Sequence, residues 1–176
     1  MRLSILAVLL LLASSSVVSS GPLTAARTGL NVPIVVQRPE RCGQAALEMV
    51  LRFYGADAAA LHEAERAYDP VLRGSLITDL AAAARRAEYG AAIGTLTPDS
   101  LIALLASGVP PIVLYQNGRG PLTIAHYGVV TGWDPSRNEF LVNDGGARPQ
   151  IIGRNDLTKR WRTSGSQALI VTRRSP

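Results

Sequence analysis

The chain holds one cysteine, Cys42, in Gln37-Arg38-Pro39-Glu40-Arg41-Cys42-Gly43-Gln44-Ala45-Ala46, where an amphipathic helix is predicted to begin. The thiolate is the nucleophilic form of cysteine, and a helix N-terminus favours it with unpaired N–H donors and partial positive charge. A lone cysteine is otherwise most often a small buried apolar residue, so chemistry requires partners. A catalytic thiol needs a base within hydrogen-bond reach, held by a third group. The chain has two histidines. His62 lies on an Ala-rich segment beside Glu63 and Glu65 and reads as a solvated surface residue. His126, in Ala125-His126-Tyr127-Gly128-Val129-Val130, lies on a predicted strand and is the candidate base.

A hairpin is predicted to bring a third group to His126. If its turn centres near Pro135, antiparallel pairing sets residue i opposite about 270 − i, which places His126 across from Asp144 on the same sheet face. A slip of one residue would bring Asn143 instead, so both are candidate orienters of the imidazole. Asp144 also precedes Gly145-Gly146 and has a competing reading as a turn residue. Gln37, five positions before the cysteine, could aim its amide toward the point that the Cys42 backbone N–H faces. Together the two donors would form an oxyanion hole. Gly43 is expected to leave the backbone open to a substrate.

Several elements must position these residues. Arg2, the apolar run Leu3 to Ala13 and the small residues Ser14 to Ser20 read as a secretory signal over residues 1–20, with the mature chain starting at Gly21. The apolar run is shorter than the roughly 18–20 residues of a spanning helix. Left uncleaved, the segment would tether the protein to a membrane. Residues 21–30 read as a flexible leader and 31–173 as one domain. Asn31 to Gln37 is read as an extended run. Ala46, Met49, Val50, Phe53 and Tyr54 recur with the spacing of one helical face, and Gly55 ends that helix. Further helices are expected over Ala59–Ala67, from an N-cap at Ser75 with Leu76, Leu80 and Ala83 inward, and from the Thr97-Pro98-Asp99 start to Gly108. Strands are expected over Ile112–Tyr115, Ile124–Thr131, Glu139–Asn143 and Ala168–Thr172. Asn155 is expected to cap a last helix reaching Trp161. Helices first and antiparallel strands later describe an α+β domain.

At these residues the chain resembles the bacteriocin-processing, double-glycine cysteine peptidase family. The resemblance rests on Gln37-x4-Cys42-Gly43-x-Ala45-Ala46-Leu47-x-Met49 with Tyr54-Gly55, then His126-Tyr127-x-Val129-Val130 and Asn143-Asp144. It spans about residues 32–172. It implies a papain-like fold with Cys42 as nucleophile, His126 as base and acid, Asp144 as orienter and Gln37 as oxyanion donor. Better-known members are fused to transporters and cut leader peptides after Gly-Gly. This chain has no transporter part, carries an export signal, and has Arg41 where Asp often precedes the cysteine. Its Gln-to-Cys gap is one residue shorter than in many members. It is most similar to stand-alone exported members, and its own Gly145-Gly146 reads as a turn rather than a self-processing site.

The expected activity is hydrolysis of peptide bonds outside the cytoplasm, in the periplasm or beyond, on a peptide or protein substrate. A thiol needs no metal or organic cofactor for this reaction, and no cysteine–histidine cluster has zinc-site spacing. A cell-wall amidase or acyltransferase on the same fold and a peptide-binding module with an idle thiol are the alternatives. The net charge of +5 is modest, and the few aromatics are not interleaved with basic residues, which argues against nucleic-acid binding.

Overall fold

The computed structural model describes residues 28–119 and 122–173. The signal segment, and the leader up to residue 27, lie outside the described residues. In chain order the elements are β1 (Thr28–Gly29), α1 (Cys42–Phe53), α2 (Ala58–Glu65), α3 (Ile77–Arg86), β2 (Gly90–Thr95), α4 (Pro98–Ala106), β3 (Ile112–Arg119), β4 (Leu122–Asp134), β5 (Glu139–Asn143), β6 (Gln150–Gly153), α5 (Arg154–Arg162) and β7 (Gln167–Thr172). The strands form an antiparallel sheet in the order β2-β7-β3-β4-β5-β6, with β1 paired to β4. This is the expected α+β architecture.

Side chains alternate along each central strand, so the sheet carries a core on both faces. Ile112, Val129, Leu169 and Val171 join the helical layer of α1, α2 and α3. Val113, Tyr115, Val130, Phe140 and Ala168 face the other way, toward Leu101 and Leu105 of α4 and Leu157 and Trp161 of α5. The helix that begins at Cys42 is thus wedged between sheet and helices. It buries Gly43 to Leu47 and Met49 to Leu51, more than the single face expected. Glu48 and Arg52, paired at 2.7 Å, mark its outer row.

Local signals hold where a side chain meets its own backbone. Thr97 Oγ1 accepts from Ser100 N–H at 3.2 Å and starts α4, with Pro98 in the first turn. Gly55 and Gly108 follow their helices at positive φ. Other expectations are corrected. Ser75 does not cap α3: its hydroxyl accepts from Gln44 Nε2 at 2.8 Å, while Leu76 takes the cap position and stays half exposed. Asn155 does not cap α5, whose cap is Gly153.

Residues 30–39 form no strand. Pro33 has no N–H to give a ladder, and the segment is held by single bonds, Leu30 N–H to Thr131 O at 2.7 Å and Gln37 N–H to Gly145 O at 2.9 Å. The leader expected to be flexible through residue 30 instead pairs Thr28 and Gly29 with β4 as β1; nor were β2 (GAAIGT) and β6 (QIIG) expected. Both are edge strands of weak or short β pattern, recruited by pairing with β7 and β5.

Candidate active site

Cys42 is the first residue of α1, and no side chain caps that helix. Its first-turn N–H groups therefore lack intrahelical partners. The cysteine is partly buried. It sits beside the edge of β4 that β5 leaves open, because β5 pairs with β4 only from Val129↔Asn143 onward. Val130 N–H donates to Pro111 O at 2.9 Å on the β3 side, so strand alternation turns Tyr127 N–H toward the open edge. There it bonds Cys42, as does the N–H of Gly43.

The imidazole of His126 is hydrogen-bonded to the Cys42 side chain. Burial by itself would raise the thiol, but the His126 hydrogen bond, the two backbone N–H groups and the imidazole charge outweigh it and hold Cys42 below its ordinary value. Burial likewise pulls His126 down. The hydrogen bond and charge of Cys42, the Asp144 carbonyl and the Asp144 charge outweigh that and hold it above its ordinary value. The opposed shifts favour the charged form of each side chain. The ring of Tyr115, directly across from His126 on β3, stands edge-on to it at 5.9 Å and 89°.

Asp144 reaches His126, but not by the expected route. The hairpin turn is a four-residue loop started by Asp134 Oδ1, which accepts from Ser136 and Arg137 N–H, with Asn138 at φ 56°. With an irregularity between Val130 and Gly132, the ladder runs Val129↔Asn143 and stops. His126 therefore has no cross-strand partner on β5. The chain instead curls after Asn143, and His126 Nε2 donates to the backbone carbonyl of Asp144 at 2.8 Å. The Asp144 carboxylate faces away. It accepts from Gly146 N–H at 3.2 Å and from Gln150 Nε2 of β6. Asn143 is not the hydrogen-bond partner of His126 among the described residues. It is buried, and its Nδ2 donates to Val32 O at 3.2 Å, tying the segment before Gln37 to the sheet.

Gln37 lines the same cleft as Cys42 and His126, and its Oε1 is buried with no partner among the described residues. It is positioned by Gly145, which sits at φ +84°; a Cβ there would come within 2.7 Å of the Gln37 amide oxygen. The residue that turns the chain after Asp144 thus also seats Gln37. Gly43 is not the opening for substrate that was expected. It is buried, and a Cβ on it would stand 3.2 Å from both Ser75 and Leu80, so its role is close packing of α1 on α3. His62 is exposed on α2, away from the cleft. Trp133 packs on Phe140 in the second core and does not line the cleft.

Sequence reasoning missed Tyr127 N–H, Tyr115, Gln150 and the part-buried pair Gln44–Ser75. The first two could have been read from the β3–β4 register; the others depend on loop paths that no local signal encodes. Among the described residues no group of His, Cys, Asp and Glu side chains could hold a metal ion, and no helix is long and apolar enough to cross a membrane.

Comparisons with known proteins agree with this fold. The family described as the Peptidase_C39 like family matches residues 29–169. No curated protein matches the chain. Among solved structures, a double glycine motif protease from an AMS/PCAT transporter, in complex with the leader peptide, is similar with a TM-score of 0.64 at 20% identity over 84% of this chain and 95% of that one. The peptidase domain of Streptococcus ComA, a bi-functional ABC transporter, is similar with a TM-score of 0.64 at 19% identity over 80% and 98%. A C39-like peptidase from Bacillus anthracis is similar with a TM-score of 0.67 at 17% identity, over 86% of this chain and all of that one.

Proposed function

Because this chain belongs to the peptidase C39-like family, we propose that it is a cysteine peptidase that hydrolyses peptide bonds with Cys42 as nucleophile and His126 as general base and acid. The observation that carries this reading is the hydrogen bond between Cys42 and His126 at the uncapped start of α1. A solved neighbour that holds a leader peptide supports a peptide as the ligand.

The His126 tautomer follows from its partners. Nε2 donates to a carbonyl and stays protonated, so Nδ1 is the nitrogen left to exchange a proton with Cys42. The thiolate attacks the scissile carbonyl. The oxyanion forms near the free N–H of Cys42 and the Gln37 amide, whose unpaired oxygen exchanges places with Nε2 by a half-turn. Nδ1–H then protonates the leaving amine, and a water deprotonated by the same nitrogen hydrolyses the thioester. The Asp144 carbonyl holds the ring through this cycle.

The rate of Cys42 alkylation against pH, in wild type and His126→Ala, tests the pair. The expected inflection lies well below the roughly 8.5 of a free cysteine and moves up in the variant. Equal titration of both proteins near the free value would sink the reading. Export is part of the proposal and rests on Arg2 and the apolar run Leu3 to Ala13. N-terminal sequencing of the protein recovered outside the cytoplasm should begin at Gly21; recovery solely from the cytoplasm would reject it.

A further inference from the structure

The walls beside Cys42 and His126 carry chemistry that the catalytic groups do not use. The cleft has a volume of about 720 Å³, within the range of pockets that enclose whole small ligands. Leu72 and Leu76, from the turn before α3, line it together with Ile124 of β4. These three are exposed at 53%, 52% and 68%. Large aliphatic side chains gathered around one opening mark a surface that binds something apolar. Leu72 does not sit there by chance of a loose loop. Asp69 and Gly74 exchange backbone hydrogen bonds at 2.8 and 3.2 Å, and Asp69 Oδ1 accepts from Leu72 N–H at 3.1 Å.

Charge in the lining points the same way. Apart from His126, its ionisable side chains among the described residues are Cys42, Tyr127, Glu40 and Arg73. Tyr127 is spent on Ser75 O at 3.2 Å. Arg73 pairs with Glu40, which also accepts from Tyr68 at 3.1 Å. The cleft therefore offers no unpaired cation to a substrate carboxylate and no unpaired anion to a lysine or arginine. Muropeptides, whose stem peptides carry several carboxylates, would find no counter-charge. A Gly-Gly segment would leave Leu72, Leu76 and Ile124 as wet as it found them.

The edge of β4 adds the backbone half of the site. The alternation that aims Tyr127 N–H at Cys42 also aims the N–H and C=O of Ala125 at the cleft, and Ala125 lines it. An extended peptide can lie along this edge and meet the apolar wall with alternate side chains.

Resting on the peptidase reading, we propose that the preferred substrate is an extended peptide bearing a bulky, uncharged aliphatic or aromatic side chain at the scissile bond's acyl side, and not a Gly-Gly segment. The test uses the full chain and matched peptide aldehydes that add reversibly to a reactive thiol. They differ only in their last residues: Gly-Gly, Gly-Leu, Gly-Phe, Gly-Asp or Gly-Lys. Their ability to protect Cys42 from iodoacetamide is measured in wild type, Leu76→Ser and Ile124→Ser, both sites being exposed enough to spare the fold.

Gly-Leu or Gly-Phe should protect at least about tenfold better than Gly-Gly, Gly-Asp or Gly-Lys, as apolar pockets discriminate. That ratio should fall several-fold in each serine variant. Equal or better protection by Gly-Gly, or a ratio unmoved in both variants, overturns the specificity and leaves the nucleophile standing. A Cys42 that reacts only as a free thiol overturns the peptidase reading and this proposal with it.

Discussion

His126 is held by two unlike groups, the side chain of Cys42 and a main-chain carbonyl. A carbonyl cannot be removed by substituting its residue, so the orienting contact survives changes at Asp144. Asp144→Asn keeps an oxygen for Gly146 N–H and the carbonyl for Nε2, and is expected to lose less than about tenfold in kcat/KM. Loss of about 10⁴, as when an orienting carboxylate sets the tautomer, would show that the carboxylate itself turns onto the ring during catalysis. The pH profile should also change with a definite sign. The rate rises as Cys42 ionises and falls as His126 loses its proton. The Asp144 charge is one of the forces holding His126 up, so the alkaline limb should move to lower pH in Asp144→Asn while the acid limb moves little. The residues singled out in the sequence do come together: Gln37, Cys42 and His126 line one cleft, and the Asp144 carbonyl meets His126. Which atom of Asp144 faces the ring was not legible, since it depends on how the chain curls after β5 stops.

The element that couples the site is the turn after β5, where Gly145 links the carbonyl that holds His126 to the seat of Gln37. Gly145→Ala adds a Cβ at φ +84° and drives it into the Gln37 side chain. The backbone cost alone is about 1–2 kcal/mol, a fall in Tm of about 2–8 °C for a domain of this size. The displaced amide should lower kcat more than KM, because an oxyanion donor acts in the transition state. A variant with wild-type kcat would show that Gln37 is not the donor. Helix starts with their own chemistry, such as Thr97-Pro98, were readable as elements. The hairpin register was not: a loop of four residues after Asp134 and an irregularity near Thr131 each shift the pairing, and neither follows from the turn residues alone.

Across the whole molecule, the sheet carries one core on each face, and Cys42 heads a helix of the first while His126 shares its face with Tyr115 of the second. Trp161 belongs to the second, 1% exposed with its Nε1 donating to Gln167 O at 2.7 Å. Trp161→Ala should cost about 3–5 kcal/mol of stability, read as a lower denaturant midpoint. Alkylation of Cys42 at low temperature, where the chain stays folded, should keep the wild-type pH dependence; an altered one would mean that the two cores are coupled through β3 and β4. By itself the sequence singled out Cys42 and His126 and determined most helices and the central strands. These rest on residue type and on periodicity within a dozen neighbours. Only the tertiary structure decided the edge strands, the route from Asp144 to His126 and the apolar cleft. Each depends on contacts between segments far apart in the chain, where the energy of packing and pairing outweighs any local preference.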